Sequence, residues 1–294
     1  MIELGALGLG TAPLGGLYQA VGDENARTVV TRAWELGVRY FDTAPLYGSG
    51  LAEQRLGSVL RERPRDEFVI STKVGRLLRP GSSEWHEAPP LESYFDFSHD
   101  AALRSLEESL ERLGLDRVDI ALVHDPDDHY DEALAGAYRA LARLRDEGVV
   151  RAIGVGMNQT ELLCRFAREA DPDCFLVAGR YTALDRAAAA QLLPLCEERG
   201  ISVIAGGVFN SGVLAGGNTF NYQAAPPEVL ARVESLRETC ARQDVPLAAA
   251  AVQFPLRHPV VISALVGCST PQEVEEDVRL SRLELPASLW GELG

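Results

Sequence analysis

Lysine is almost missing from this 294-residue chain: of 28 basic residues one is lysine, Lys73, and the rest are arginine. Codon usage accounts for the arginines but not for the single lysine that is kept. A lysine offers a compact ammonium and shifts its pKa readily when buried, which an arginine does not. Lys73 is therefore a candidate functional group before any motif is considered. Positive charge is scarce too, with 43 acidic residues against those 28 and a net charge of −15. Such a surface repels nucleic acid and anionic lipid, which argues against either as a partner.

Long apolar runs are also missing. None approaches the ~18 residues needed to cross a bilayer, and no basic residue precedes Arg27, so the charged start of a secretory leader is absent. The five cysteines, Cys164, Cys174, Cys196, Cys240 and Cys268, are odd in number, widely spaced and without a CxxC pair. That usage fits small buried side chains in a reducing compartment rather than a disulfide framework or a metal site. These features predict a cytoplasmic protein. There is no linker-like stretch and no internal repeat of about 20–50 residues. The 46% hydrophobic content suffices for one large core.

What is present is alternation. Short apolar runs begin at Ala6, Val38, Glu67, Val118, Val150, Cys174, Ile201 and Val260 and read as strands. Between them the pattern predicts helices over 23–37, 50–62, 98–113, 131–147, 159–170, 185–199, 227–243 and 271–282. Cap-like residues (Asp23, Ser98, Asp131) or Pro271 open several, and glycines (Gly37, Gly114, Gly148, Gly200) close several. Eight strands alternating with eight helices predict a parallel sheet, and the undivided chain predicts a single (β/α)8 TIM barrel over residues 1–294. Two connections exceed simple turns. Residues 74–97 follow the third strand and carry Trp85 and Phe95; residues 208–225 follow the seventh and carry Phe209. Both fall on the C-terminal face, where barrel active sites are built. Trp85, Phe95 and Phe209, with Tyr18, are candidate substrate contacts; packing of the loops explains the same aromatics.

The segment GLGTAP from Gly8 invites a dinucleotide fingerprint, but the third glycine would fall at Pro13, so the fingerprint fails. A better signal lies where the strands end. Asp42 ends the second, Lys73 the third and His124 the fourth, and Asn158 follows the fifth. Ionisable and polar groups at successive strand ends converge on one mouth. Each has a plainer reading: Asp42 as a turn residue, Asn158 as a helix cap, His124 as a core histidine.

The motif FDTAPLYG with Glu53 and Gly57, then STK at Ser71, then SLEESLERLGLDRVDIALVHDPD, resembles the aldo-keto reductases over nearly the whole chain. VHDPD and AGRYTALDR are similar to their branch of NAD-linked sugar dehydrogenases acting on L-fucose or L-galactose. The resemblance implies a catalytic tetrad of Asp42, Tyr47, Lys73 and His124. A tyrosine with an ordinary pKa near 10 is a poor base at neutral pH; an ammonium close by is expected to lower it. Asp42 would orient Lys73, and His124 would bind the substrate oxygen. This requires the Tyr47 hydroxyl within roughly 3–4 Å of Lys73.

The resemblance also places a nicotinamide cofactor. Gly10, Thr11 and Asp42 would lie at its ribose, Asn158 at its carboxamide and Tyr181 against its ring. Gly207, Phe209, Ser211 and Gly212 would cover the pyrophosphate, and Gly267, Ser269, Gln272, Glu273 and Asp277 the adenosine. Glu273 stands where NADP-users carry a basic residue, so NAD is expected over NADP, with Arg180 or Arg279 filling the gap as the alternative. The implied reaction is oxidation of a neutral aldose of L-fucose, L-galactose or D-arabinose type at C1 to the lactone. Oxidation of pyridoxal or general aldehyde reduction is the alternative. Two rivals lie outside the family. HDPDDH from His124 to His129 holds two histidines and three aspartates, residue types that a metal-dependent barrel hydrolase uses, but no second cluster with ligand spacing accompanies it, so no metal is expected. The other is a barrel that binds nucleotide without turnover.

Overall fold

The computed structural model describes residues 2–293. Eight parallel strands close into a barrel: β1 (Leu7–Gly10), β2 (Tyr40–Asp42), β3 (Val69–Val74), β4 (Ile120–His124), β5 (Ala152–Met157), β6 (Cys174–Ala178), β7 (Ser202–Gly206) and β8 (Val261–Gly267). Each is paired with its neighbours in chain order, and β8 returns to β1. All eight runs expected from the sequence are barrel strands. Helices fill the connections: α1 (Asp23–Glu35), α2 (Leu51–Leu60), α3 (His99–Leu113), α4 (Tyr130–Ala135), α5 (Ala137–Asp146), α6 (Thr160–Glu169), α7 (Leu192–Arg199), α8 (Pro227–Ala241), α9 (Leu247–Gln253), α10 (Pro271–Ser281) and α11 (Ala287–Leu293).

Side chains alternate across a strand with period two, and this decides what reaches the barrel interior. Tyr40, Ile120, Leu122, Cys174, Leu176, Ile204 and Leu265 form the inner core, whereas Phe41, Ile70, Val74, Ala121 and Val123 pack outward beneath the helices. Continued along β2, β3 and β4, the inward set becomes Asp42, Lys73 and His124 at the C-terminal rim. The strand pattern that builds the apolar core thus delivers three ionisable groups to one place. Register ties them together: Asp42 pairs with Ser71, Lys73 with Leu122, and His124 with Gly156.

The expected elements are corrected at three points. The helix expected over 131–147 is two, α4 and α5. They break at Gly136, whose backbone meets the β3–α3 connection: a side chain there would lie 2.3 Å from Phe97 O, to which Ala137 N donates at 2.7 Å. The helix expected over 185–199 begins only at Leu192, because Pro194 supplies no N–H and fits only the first turn. The long connection over 74–97 is not irregular: Arg76–Pro80 and Leu91–Phe95 pair as an antiparallel hairpin, and a smaller hairpin joins Thr219–Phe220 to Gln223–Ala224.

Two glycines of the motifs are explained by close approach. Gly8, read above as half of a failed nucleotide fingerprint, lies where a Cβ would meet the Tyr40 ring at 2.5 Å; it makes room for the inner core. Gly57 on α2 faces the end of α3, with Leu113 O 2.0 Å from where a Cβ would stand. The backbone of α3 cannot yield as a flexible side chain can. Gly57→Ala is therefore expected to cost about 2–3 kcal/mol of stability by overpacking. Gly291→Ala, in open space on α11, should hold or slightly raise the urea midpoint that measures both.

Candidate active site

Lys73 Nζ, 1% exposed in side chain, donates to Asp42 Oδ2 at 2.7 Å, to Thr43 O at 2.9 Å and to the Tyr47 hydroxyl at 3.1 Å. All three ammonium protons are engaged. Asp42 takes a second bond from Ser71 Oγ at 2.7 Å, and Ser71 Oγ lies 3.0 Å from the Tyr40 hydroxyl. The carboxylate is thus anchored from below by the barrel interior and from above by the ammonium. The Tyr47 and His124 rings stand perpendicular with centroids 5.9 Å apart. All four residues named from the sequence meet here, and the Tyr47–Lys73 separation lies within the required range.

The electrostatics differ from the expectation for Tyr47. Burial pushes its phenol up to about 12, a larger effect than the lowering by Lys73, and the Asp42 charge adds to the rise. The ammonium lowers the phenol by less than burial raises it, and the Asp42 carboxylate 2.7 Å from the ammonium offsets part of its pull. Tyr47 is therefore a protonated phenol at neutral pH. It accepts from Lys73, and its own proton finds no acceptor among the described residues. Burial draws the Lys73 ammonium down, but Asp42 and Tyr47 together hold it above its ordinary value. His124 is held well below its ordinary value, first by burial and then by the charges of Lys73 and Arg76, so it is a neutral imidazole. Its Nδ1 is buried without a partner, while Nε2 lies 3.6 Å from Asp125 Oδ2. The carboxylate favours the proton on Nε2. Two neutral donors, a phenol and an imidazole N–H, therefore stand side by side at the barrel mouth.

The walls come from the long connections. The Trp85 ring lies 5.9 Å from that of Tyr47. It is held there by Glu87, whose Oε2 accepts from Val21 N and Gly22 N at 2.9 Å each and from Arg55 Nη2 at 3.1 Å. Arg55 is itself buried against Asp23 and Leu14 O. No local pattern announces this latch, because Arg55 is one arginine among many. Phe95, half exposed, packs on Phe97, His129 and Arg76 rather than on Tyr47. Tyr18 is half exposed, and Ser211 Oγ accepts from Tyr222 N at 3.1 Å. Phe209 is half-buried against the helix-facing core.

The residues present fit a nicotinamide dinucleotide. Gly10 pairs with both Asp42 and Gly267, so the ends of β1, β2 and β8 adjoin. Thr11 Oγ1 beside them is buried with no protein partner, an orphan of the kind a ribose hydroxyl satisfies. Asn158 does not cap α6, where Gln159 holds the cap position, and its amide has no partner among the described residues. Asn210, Ser211 and Gly212 follow Gly207 in left-handed conformations, a turn of the type whose amides gather on an anion. Gln272 lies exposed at the start of α10. Glu273 Oε2 accepts from Ser269 N at 2.6 Å and its own N–H donates to Thr270 Oγ1 at 3.2 Å, a reciprocal cap that fixes the start of α10. Arg279 is paired with Glu276, and Arg180 with Asp185 and Asn221, so neither extends to Glu273.

Tyr181, just after the end of β6, is 8% exposed, with the Phe254 and His258 rings packed against it. The Asp277 carboxyl turns inward to Cys268 Sγ at 3.4 Å, and burial pushes it up to about 7. No group of metal-ligating side chains able to hold an ion is found among the described residues. The cluster at 124–129 disperses: Asp125 pairs with Arg76, and His129 with Glu132.

The family model of the Aldo/keto reductase family matches residues 6–293. A D-threo-aldose 1-dehydrogenase of Pseudomonas sp is 44% identical, over 99% of this chain and 94% of its own length. A pyridoxal 4-dehydrogenase of Microbacterium luteolum is 41% identical, over 97% of this chain and 92% of its own. Among solved structures, the holo form of an aldo-keto reductase from Bacillus halodurans superposes with a TM-score of 0.79 at 27% identity, covering 99% of this chain and 94% of that one.

The buried pair makes a stability prediction. Asp42→Asn leaves an ammonium buried without its counter-charge, which should cost about 3–5 kcal/mol in urea unfolding at neutral pH. Glu276→Gln, which removes an exposed pair, should leave the midpoint unmoved.

Proposed function

The chain belongs to the Aldo/keto reductase family, and from that premise we propose that it is an NAD-linked dehydrogenase of neutral aldoses, oxidising C1 to the lactone. The observation that carries this reading is the single ammonium shared between Asp42 and the Tyr47 hydroxyl beside a neutral His124. When bound, the nicotinamide supplies the hydride acceptor. The chain's own residues do the rest. His124 Nε2–H holds the oxygen on C1, and Tyr47 takes that oxygen's proton once its phenol has ionised. Lys73 stabilises the phenolate, and Asp42 keeps Lys73 charged and in place. The same groups run in reverse as donors to a carbonyl. Trp85, Tyr18, Phe209 and the more peripheral Phe95 form the substrate walls. Thr11, Asn158, the 207–212 turn and the 267–273 segment hold the cofactor. The whole chain acts as one catalytic barrel, and its five buried, free cysteines suit the reducing cytoplasm.

The similarity to an aldose 1-dehydrogenase at 44% identity supports the substrate class. A second reading, oxidation of pyridoxal, is favoured by the 41% relative and by Trp85 as a stacking wall. The preference for NAD rests on Glu273: a carboxylate there repels a 2′-phosphate, and its free oxygen can accept from ribose hydroxyls as acidic groups do in other NAD sites.

Steady-state assays on L-fucose, L-galactose, D-arabinose and pyridoxal with both cofactors test the reading. An aldose should be the best substrate, with kcat/KM about 30- to 1,000-fold higher for NAD than for NADP. Equal efficiency with NADP contradicts the role given to Glu273. Tyr47→Phe should lower turnover about 10²-fold or more while leaving NADH binding intact. Lys73→Arg should be similarly damaging. Because the phenol is raised to about 12, its ionised fraction grows with pH. Oxidation should accelerate from about pH 7 to about pH 10, whereas reduction, which uses the neutral phenol, should not.

A further inference from the structure

Asp125 follows His124 and holds a φ of +42°, a left-handed conformation that a side-chain-bearing residue adopts only when its surroundings hold it there. The bend turns its carboxylate back over the imidazole, with Oδ2 3.6 Å from His124 Nε2. Arg76, at the start of the hairpin after β3, donates to that same Oδ2 at 2.8 Å. Its guanidinium in turn lies 4.8 Å over the Phe95 ring. One carboxylate oxygen is thus fixed from two sides. The other, Oδ1, has no hydrogen-bond partner among the described residues, yet the side chain is 30% exposed at the mouth. A held acceptor beside a held donor is complementary to two oxygens on neighbouring carbons, the first accepting from His124 and the second donating to Asp125.

We propose that Asp125 is a specificity-determining residue whose Oδ1 accepts a hydrogen bond from the substrate hydroxyl on C2, next to the carbon held at His124. It thereby selects 2-hydroxylated aldoses over substrates that lack this hydroxyl. The inference rests on the reading of the site as an aldose dehydrogenase. A lone acceptor with a negative charge takes hydroxyl donors and repels carboxylate or phosphate groups at the same position, which suits a neutral sugar. A site built to bond a hydroxyl rejects the analogue without it, because the acceptor is then left unpaired.

The test compares D-arabinose with 2-deoxy-D-ribose, which is D-arabinose without its C2 hydroxyl, and likewise L-fucose and L-galactose with their 2-deoxy counterparts. The full-length protein is assayed as wild type, Asp125→Ala and Asp125→Asn. Wild type should favour the hydroxylated sugar by about 10- to 100-fold in kcat/KM. In Asp125→Ala that preference should collapse to less than about 3-fold, through a larger loss on the hydroxylated sugar than on its 2-deoxy partner. In Asp125→Asn, Arg76 captures the amide oxygen and turns the NH2 toward the substrate, so the preference should fall by about 10-fold. NADH binding, followed by fluorescence, should be unchanged in both variants. Equal losses on both members of each pair, or no wild-type preference, overturn the role of Asp125 while leaving the aldose reading standing. A wild type inactive on every aldose overturns that reading and this inference with it.

Discussion

The structure turns on one buried ammonium. Lys73 is out of water, and three oxygens from β2 and its following turn replace that water: Asp42, Thr43 and Tyr47. Taking a carboxylate and an ammonium out of solvent is costly, and only full hydrogen bonding offsets it. The surroundings supply that bonding. Ser71 and Tyr40 secure the far side of Asp42 from within the barrel, and the register of β2 on β3 sets the two charges against each other. The tyrosine that ends this chain is neutral, because its burial outweighs the pull of the ammonium. That neutrality makes the resting site a proton donor, and alkali is expected to favour oxidation.

Around this fixed centre the long connections are latched rather than loose. Glu87 binds two backbone amides of the β1–α1 connection and the buried Arg55, which holds Trp85 beside Tyr47. Arg76 and Asp125 join the hairpin after β3 to the strand end of β4. Ser211 ties the turn after β7 to the small hairpin at Tyr222. The barrel supplies the chemistry, and cross-connections between loops supply the shape into which a substrate must fit.

The barrel was legible in the sequence because it rests on local periodicity. Alternating runs marked all eight strands, and the polar residues closing β2, β3 and β4 marked the rim. Lys73 stood out by composition alone. What was hidden depends on contacts between distant segments. Gly136 breaks a helix because Phe97, far off in sequence, lies against it, and no local pattern announces that. The anchoring of Asp125 is hidden in the same way, because its partner Arg76 resembles every other arginine. The pKa of Tyr47 was misjudged for the same reason: the sequence shows a nearby lysine but not the burial that outweighs it.

On the proposed reading a hydride leaves C1 of a neutral sugar for NAD at this site. Supplying the enzyme with NAD and an aldose deuterated at C1, and examining the products by mass spectrometry, tests that transfer. The reduced cofactor should carry the deuterium, with lactone formed in equal amount. Reduced cofactor without deuterium, or none at all with any aldose tested, would contradict that reading.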